Sequence, residues 1–141
     1  MEKYKNFINN SWIDSESKET IKVEDPSTTK IIGEISCANK PEIDLAVSAA
    51  KESFNSRILV DMPLLDRAKL MRKIADETRK IAKEGGTILC YENGKSIGAA
   101  IKEFNDVADM FDYYAGLTDK LEGKTIPVST NVLNYTVLEP Y

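Results

Sequence analysis

Between positions 96 and 127, apolar side chains recur at steps of mostly three or four residues: Ile97, Ala100, Ile101, Phe104, Ala108, Phe111, Ala115 and the pair Leu117/Leu121. That spacing stacks them on one face of an α-helix. Lys102, Glu103, Asn105, Asp106, Asp109 and Asp112 fall largely on the other side. No proline interrupts the run, and Gly123 is placed to end it in a left-handed conformation. At a rise of ~1.5 Å per residue the predicted helix is ~40 Å long. A rod of that length crosses most of a small domain, so the other elements are expected to pack on it.

The rest of the pattern falls to either side of this helix. Residues 4–13 read as a short hairpin, with Phe7-Ile8 and Trp12-Ile13 flanking the turn-prone Asn9-Asn10. Ile21 and Val23 alternate with polar residues over 20–24, as in a half-buried strand. Asp25-Pro26-Ser27-Thr28 is a turn, and residues 30–36 are the answering strand. Asn39-Lys40-Pro41-Glu42 is a helix start, with a capping asparagine, a first-turn proline and a glutamate set to complete a capping box. Ile43, Ala46, Val47, Ala50 and Phe54 mark one face of that helix. A second helix begins near Leu64, with Leu65, Ala68, Met71, Ala75 and Thr78 as its stripe and Leu70, Ile74 and Ile81 widening it. Gly85-Gly86 is expected to weaken or break it, each glycine costing ~1 kcal/mol against alanine. A short helix over 87–92 then leads to a turn at Asn93-Gly94. Beyond Gly123 the residues become β-branched or aromatic, and 124–129 and 132–138 read as a second hairpin around Ser129-Thr130-Asn131.

Composition narrows the function classes. With 141 residues and 42% apolar content, one domain with a core is expected. No run approaches the ~20 apolar residues that cross a bilayer, so no membrane partner is expected. A net charge of −4, with lysines scattered among acids, argues against a nucleic-acid surface. The N-terminus lacks a signal-peptide core, and Cys37 and Cys90 suit a reduced cytoplasm. There is no histidine, so the commonest general base and the usual zinc ligand are both missing. Catalysis by this chain would have to use carboxylates, lysine or cysteine. Gly85-Gly86 follows a helix rather than a strand, so it is no dinucleotide loop. Cys90 sits between Leu89 and Tyr91 with nothing nearby in sequence to activate it, and reads as structural, as does Cys37. Glu103, Asp106 and Asp109 recur at three-residue intervals, a solvated face rather than an acid–base pair. Taken alone, the pattern gives an α+β domain of helices plus two β-hairpins, and no reaction.

The order of short motifs changes that reading. FINNSWID, EDPSTTKIIGEI, KPEIDLAVSAAKESF, DRAKLMRKIAD, YENGKSI, DYYAGLTDKLEGKTIPV and NYTVLEP follow one another along the chain. The series, from Phe7 to Pro140, resembles the N-terminal part of an NAD(P)-dependent aldehyde dehydrogenase, with ENGK and YYAGL…GKTIP carrying most of the weight. Departures are minor: Thr29 stands where glycine is common, Gly85-Gly86 replaces better helix formers, and a tryptophan before the Pro63 loop is absent.

The resemblance implies an enzyme that oxidises an aldehyde to a carboxylic acid with NAD or NADP. It also implies that the nucleophilic cysteine, the glutamate base and the dinucleotide-binding residues lie beyond the matched segment. The expectation is therefore an N-terminal piece of the α/β aldehyde dehydrogenase fold, with no catalytic and no cofactor-binding residue, inactive alone. Residues 1–123 would be the incomplete helical and hairpin part of the cofactor-binding domain, and 124–141 the oligomerisation hairpin. The alternative is a stand-alone module that binds copies of itself or a full-length paralogue. By the same resemblance, Lys102 and Asp106 would lie on the rim of the substrate tunnel, two ordinary surface residues being the alternative. Val23 and Glu24, through their backbone carbonyls, and Glu92, through its acid, match groups that hold a monovalent cation in some family members, an ordinary exposed Glu92 being the alternative. A homo-oligomer through the long helix and the C-terminal hairpin is expected.

Overall fold

The structure, a computed structural model describing residues 2–140, runs β1 (Glu2–Tyr4), β2 (Asn6–Ile8), β3 (Ser11–Ile13), β4 (Thr20–Asp25), β5 (Lys30–Ser36), α1 (Lys40–Asn55), α2 (Leu64–Asn93) and α3 (Ile97–Ala115). Asn9 and Asn10 both take left-handed backbone, at φ 49° and 61°. Consecutive left-handed residues turn the chain with the twist that a tight hairpin needs. They set Phe7 opposite Trp12 across β2 and β3, with ring centroids 4.9 Å apart. β1 lies outside this hairpin and pairs in parallel with β5, which pairs antiparallel with β4. The expected hairpin over 4–13 is thus shorter, and the residues before it join a different sheet.

The turn between β4 and β5 is built by Asp25. Its carboxylate accepts the Ser27 N–H and the Thr28 hydroxyl, both at 2.8 Å, and its carbonyl accepts the Thr29 N–H at 2.7 Å. α1 starts as read from sequence: the Glu42 carboxylate accepts the Asn39 N–H at 2.9 Å. Its second oxygen accepts the Glu16 N–H at 2.8 Å, tying the β3–β4 loop to the helix start.

The longest helix is α2, 30 residues, and not the one after it. α2 runs unbroken through Gly85 and Gly86, against expectation. The reason is close packing on α3. A Cβ at Gly85 would lie 2.3 Å from Phe104 Cζ, and one at Gly86 would lie 2.7 Å from Ile101 Cγ1. Intimate contact offsets the propensity that glycine lacks. α2 ends at Gly94, left-handed at φ 68°, as its Asn93-Gly94 pair predicts.

α3 has 19 residues, about 28 Å at the helical rise, and stops well short of Gly123. At its end the Gly116 N–H bonds to both Asp112 and Tyr113 carbonyls, and the Thr118 hydroxyl takes the Ala115 carbonyl. These local bonds compete with the helical ladder and tighten the chain into turns. The middle of the predicted face of α3 lies against α2, with Ala100, Ala108 and Ala115 buried and Ile101 and Phe104 close to Gly86 and Gly85, whereas Ile97 and Leu121 stay exposed. Arg79 Nη2 clamps the pair from outside, 2.7 Å from both Asp109 and Asp112.

The C-terminal hairpin turns at Ser129–Val132 as expected. It is sparsely bonded: Thr136 N–H to Lys124 O at 2.9 Å and Ile126 N–H to Asn134 O at 2.8 Å. Residues 119–140 are exposed throughout.

The core is thin. The buried apolar residues are Ala68, Ala75, Ala82, Ala100, Ala108 and Ala115, and no large side chain is fully buried among the described residues. The accessible surface is 11040 Å², whereas a self-contained protein of this mass presents about 7,300 Å².

Candidate functional site

One small cavity, of about 150 Å³, opens between the three-stranded sheet and the last turns of α2. Tyr4, Val23, Ile32, Ile88, Tyr91 and Glu92 are among its walls. Two local features place them. The β4–β5 register slips between Val23 and Glu24, leaving Ile32 without a cross-strand partner. Gly94 meets Pro26, a Cβ there lying 3.0 Å from Pro26 Cγ, so the turn after α2 rests on the Asp25 turn. The structure therefore brings Val23 and Glu92 to one cavity and leaves the exposed Glu24 off its wall. Most of that wall is hydrocarbon, and among the described residues no three carboxylates or thiols gather to hold a metal ion. Tyr4 and Ile32 were invisible as wall residues in the sequence, because a parallel strand pair and a bulge leave no local signal.

Lys102 and Asp106 face each other one turn apart on α3, both exposed. The ammonium donates to the two carboxylate oxygens at 2.6 and 2.5 Å. The three carboxylates at three-residue spacing each have a separate cation. Glu103 pairs with Lys95, Asp106 with Lys102 and Asp109 with Arg79. Each of the three is thus engaged by its own cation on the surface of α3. The Asp109 and Asp112 carboxylates hold the Arg79 guanidinium above its already high range.

Both cysteines are half-buried and unpaired. The Cys90 thiol donates to the Lys95 carbonyl at 3.0 Å, closing the corner between α2 and α3. That is a structural use of the thiol. The two most buried carboxylates are structural as well. Hydrogen bonds from Glu16 and Asn39 hold Glu42 below the usual carboxylate range, and those from Ser27 and Thr28 do the same for Asp25.

Much of the apolar surface stays bare. On α1 the expected packing face is exposed: Ile43, Val47 and Phe54 are each more than half accessible. α1 touches β2 and has no extended packing on α2 or α3. On α2, Leu70, Ile74 and Ile81 line an open groove. On the α2–α3 pair, Met71, Val107, Met110, Phe111 and Tyr114 line another, of about 270 Å³, with no polar wall. A helical stripe predicts which residues seek cover, and not whether the same chain supplies it.

Comparison with known proteins matches residues 12–141 to the aldehyde dehydrogenase family. Mitochondrial aldehyde dehydrogenase of Equus caballus is 33% identical over 136 residues, covering 95% of this chain and 27% of the relative. Human retinal dehydrogenase 2 is 35% identical, over 95% of this chain and 26% of the relative. Among solved structures, the NAD+ complex of Bacillus cereus aldehyde dehydrogenase superposes with a TM-score of 0.85 at 32% identity, over 95% of this chain and 28% of that one. The Pseudomonas putida G7 salicylaldehyde dehydrogenase, complexed with salicylaldehyde, gives 0.84 at 28% identity, with 96% and 28% covered. The chain thus spans about a quarter of the length of the relatives it matches.

Proposed function

This chain belongs to the aldehyde dehydrogenase family, and on that footing we propose that it serves the NAD(P)-dependent oxidation of an aldehyde to a carboxylic acid as the N-terminal segment of such an enzyme, and is inactive by itself. What supports the second half is that most of the candidate nucleophiles and bases have a structural partner. Cys90 caps a corner, Glu103, Asp106 and Asp109 are ion-paired, and Glu42 and Asp25 hold turns. Gly85-Gly86, the one glycine pair, lies inside α2 against Ile101 and Phe104 and cannot cradle a pyrophosphate. The residues present do not fit a dinucleotide, so no step is assigned to one here. Support for NAD as the acceptor comes from the neighbours, the Bacillus cereus enzyme and the Staphylococcus aureus betaine aldehyde dehydrogenase both having been solved with NAD+.

Within that reading, Lys102 and Asp106 sit on the rim of the substrate entrance and make it polar, which suits polar or charged aldehydes. The hairpin over 124–140 joins copies of the protein through its open edge. The test is an assay of the purified chain with NAD or NADP and a panel of aldehydes. No NAD(P)H formation is expected, and measurable turnover would overturn the reading. One observation favours a second reading, a self-associating module: the hairpin is exposed on all sides and contributes nothing to the α2–α3 core. A discrete oligomer in sedimentation, in a cell with no complete relative, would support it.

A further inference from the structure

The two halves of α3 are held to α2 by different means. Towards its start, Phe104 and Ile101 close on Gly85 and Gly86. The corner before it is tied by the Cys90 thiol on the Lys95 carbonyl and by the Lys95–Glu103 ion pair. Beyond Asn105 the buried residues are Ala108 and Ala115, while Val107, Met110, Tyr113 and Tyr114 stay exposed. Alanine methyls bury little area, so the apolar contribution of this outer half is small. Its link to α2 is Arg79. Nη2 lies 2.7 Å from Asp109 and 2.7 Å from Asp112, one donor on each carboxylate. Among the described residues these are the ion pairs that join α2 to α3. Asp76, three residues before Arg79 on α2, stands 3.7 Å from Nη1. One guanidinium therefore holds three carboxylates together. The nearest other acids of α3, Glu103 and Asp106, have Lys95 and Lys102 as their own cations.

We propose that Arg79 is an ionic clasp that makes the docking of the outer half of α3 on α2 depend on ionic strength. One positive charge faces three negative ones, so the cluster is attractive only while the guanidinium is in place. Without it, Asp109 and Asp112 repel each other at i, i+3 spacing, and both repel Asp76 across the seam. The arginine is partly buried and the carboxylates are more exposed, so dissolved salt reaches them. The screening length falls from ~30 Å at ~0.01 M salt to ~3 Å at ~1 M. Salt therefore loosens the clasp. It leaves the inner half, held by contact of Phe104 and Ile101 with the two glycines, as it was. The opening is local, a release of the last turns of α3 and not an unfolding of the chain. The inference rests on the geometry of these four side chains and not on the oxidation reaction.

The experiment measures amide hydrogen exchange along α3 in the purified chain at about 10 mM and about 1 M sodium chloride. The amides of residues 107–115 are expected to exchange several-fold faster at high salt, with those of 100–105 unchanged as the internal reference. In Arg79→Met the outer amides are expected to exchange several-fold faster already at low salt. Added salt is then expected to slow them, because only repulsion among Asp76, Asp109 and Asp112 remains to be screened. Lost packing alone does not reverse the sign of a salt effect. The double substitution Asp109→Asn with Asp112→Asn leaves α2 untouched and is expected to abolish the salt response of the outer amides, which keeps the test decisive should Arg79→Met fail to fold. A salt response of the same sign and size in the parent and in either variant would overturn the proposal, as would an acceleration spread evenly over the whole of α3.

Discussion

Gly86 of α2 meets the backbone of α3 at Ile101: a Cβ built on the glycine would lie 2.8 Å from Ile101 Cα and 2.9 Å from its nitrogen. Backbone cannot swing aside as a side-chain tip can. Gly86→Ala gains ~1 kcal/mol in helix propensity but forces the two helices apart, an overpacking of ~1–3 kcal/mol. A lower urea midpoint, read by circular dichroism, is the expected result. Gly98 is the control. A Cβ there meets nothing within 4 Å, so Gly98→Ala is expected to raise the midpoint, by about 0.5–1 kcal/mol. If both substitutions stabilise, the close approach of α2 and α3 is wrong.

Glu42 makes the fold acid-sensitive at one identifiable place. Its carboxylate accepts N–H groups from Asn39 and Glu16 and titrates below its ordinary range in the folded chain. A depressed folded-state value means stability that is fully present above the unfolded value, ~4.3 for glutamate. That stability is lost as pH falls through the folded one. Thermal midpoints are therefore expected to hold from pH 7 to about 5 and then drop. Glu42→Gln is expected to lower the midpoint at pH 7 and to flatten the part of the acid limb it controls. An unchanged midpoint at pH 7 would show that the tie between the β3–β4 loop and α1 contributes nothing.

How far the sequence reaches is clearest at these same residues. The Asn39–Glu42 start, the Asp25 turn, the Asn9-Asn10 hairpin and the Gly94 cap were all legible, because each is decided within a few residues by capping, turn chemistry or positive φ. Three features were not. The parallel pairing of β1 with β5 joins residues some thirty positions apart and leaves no periodic mark. The continuity of α2 through Gly85-Gly86 depends on Phe104 and Ile101 arriving from another helix. The end of α3 at Ala115 is set by turns that the continuing apolar spacing of Leu117 and Leu121 masks. For the candidate site, Lys102 and Asp106 were singled out through the family resemblance, and their i, i+4 ion pair follows from their spacing on one helix. Val23, Glu24 and Glu92 were grouped only through the family resemblance, as holders of a monovalent cation; Val23 and Glu92 line one cavity and Glu24 does not.

The C-terminal hairpin separates self-association from folding. Leu133 and Val137 are 77% and 65% exposed, and the hairpin carries no buried residue. Val137→Lys is expected to leave the urea midpoint within ~0.5 kcal/mol of the parent, as exposed substitutions do. In the same protein, sedimentation is expected to lose its concentration dependence, since an edge charge blocks strand addition. Loss of stability without loss of association would mean that the hairpin is part of the fold and no joining element.

Lys102 and Asp106 allow the polar-rim proposal to be tested cleanly, because their mutual contact is worth so little to the fold. An exposed i, i+4 ion pair contributes ~0.3–0.5 kcal/mol, and both side chains here are more than half accessible. Lys102→Met and Asp106→Asn should therefore leave unfolding almost unchanged, and any kinetic change reports on substrate. In the assembled enzyme, a polar rim acts on entry and not on the chemical step. KM for aldehydes bearing a charge is expected to shift several-fold, in opposite directions for the two variants, while kcat holds. A neutral aliphatic aldehyde of the same length is expected to show neither change. Equal shifts for charged and neutral substrates would place the pair away from the entrance and return it to an ordinary surface contact on α3.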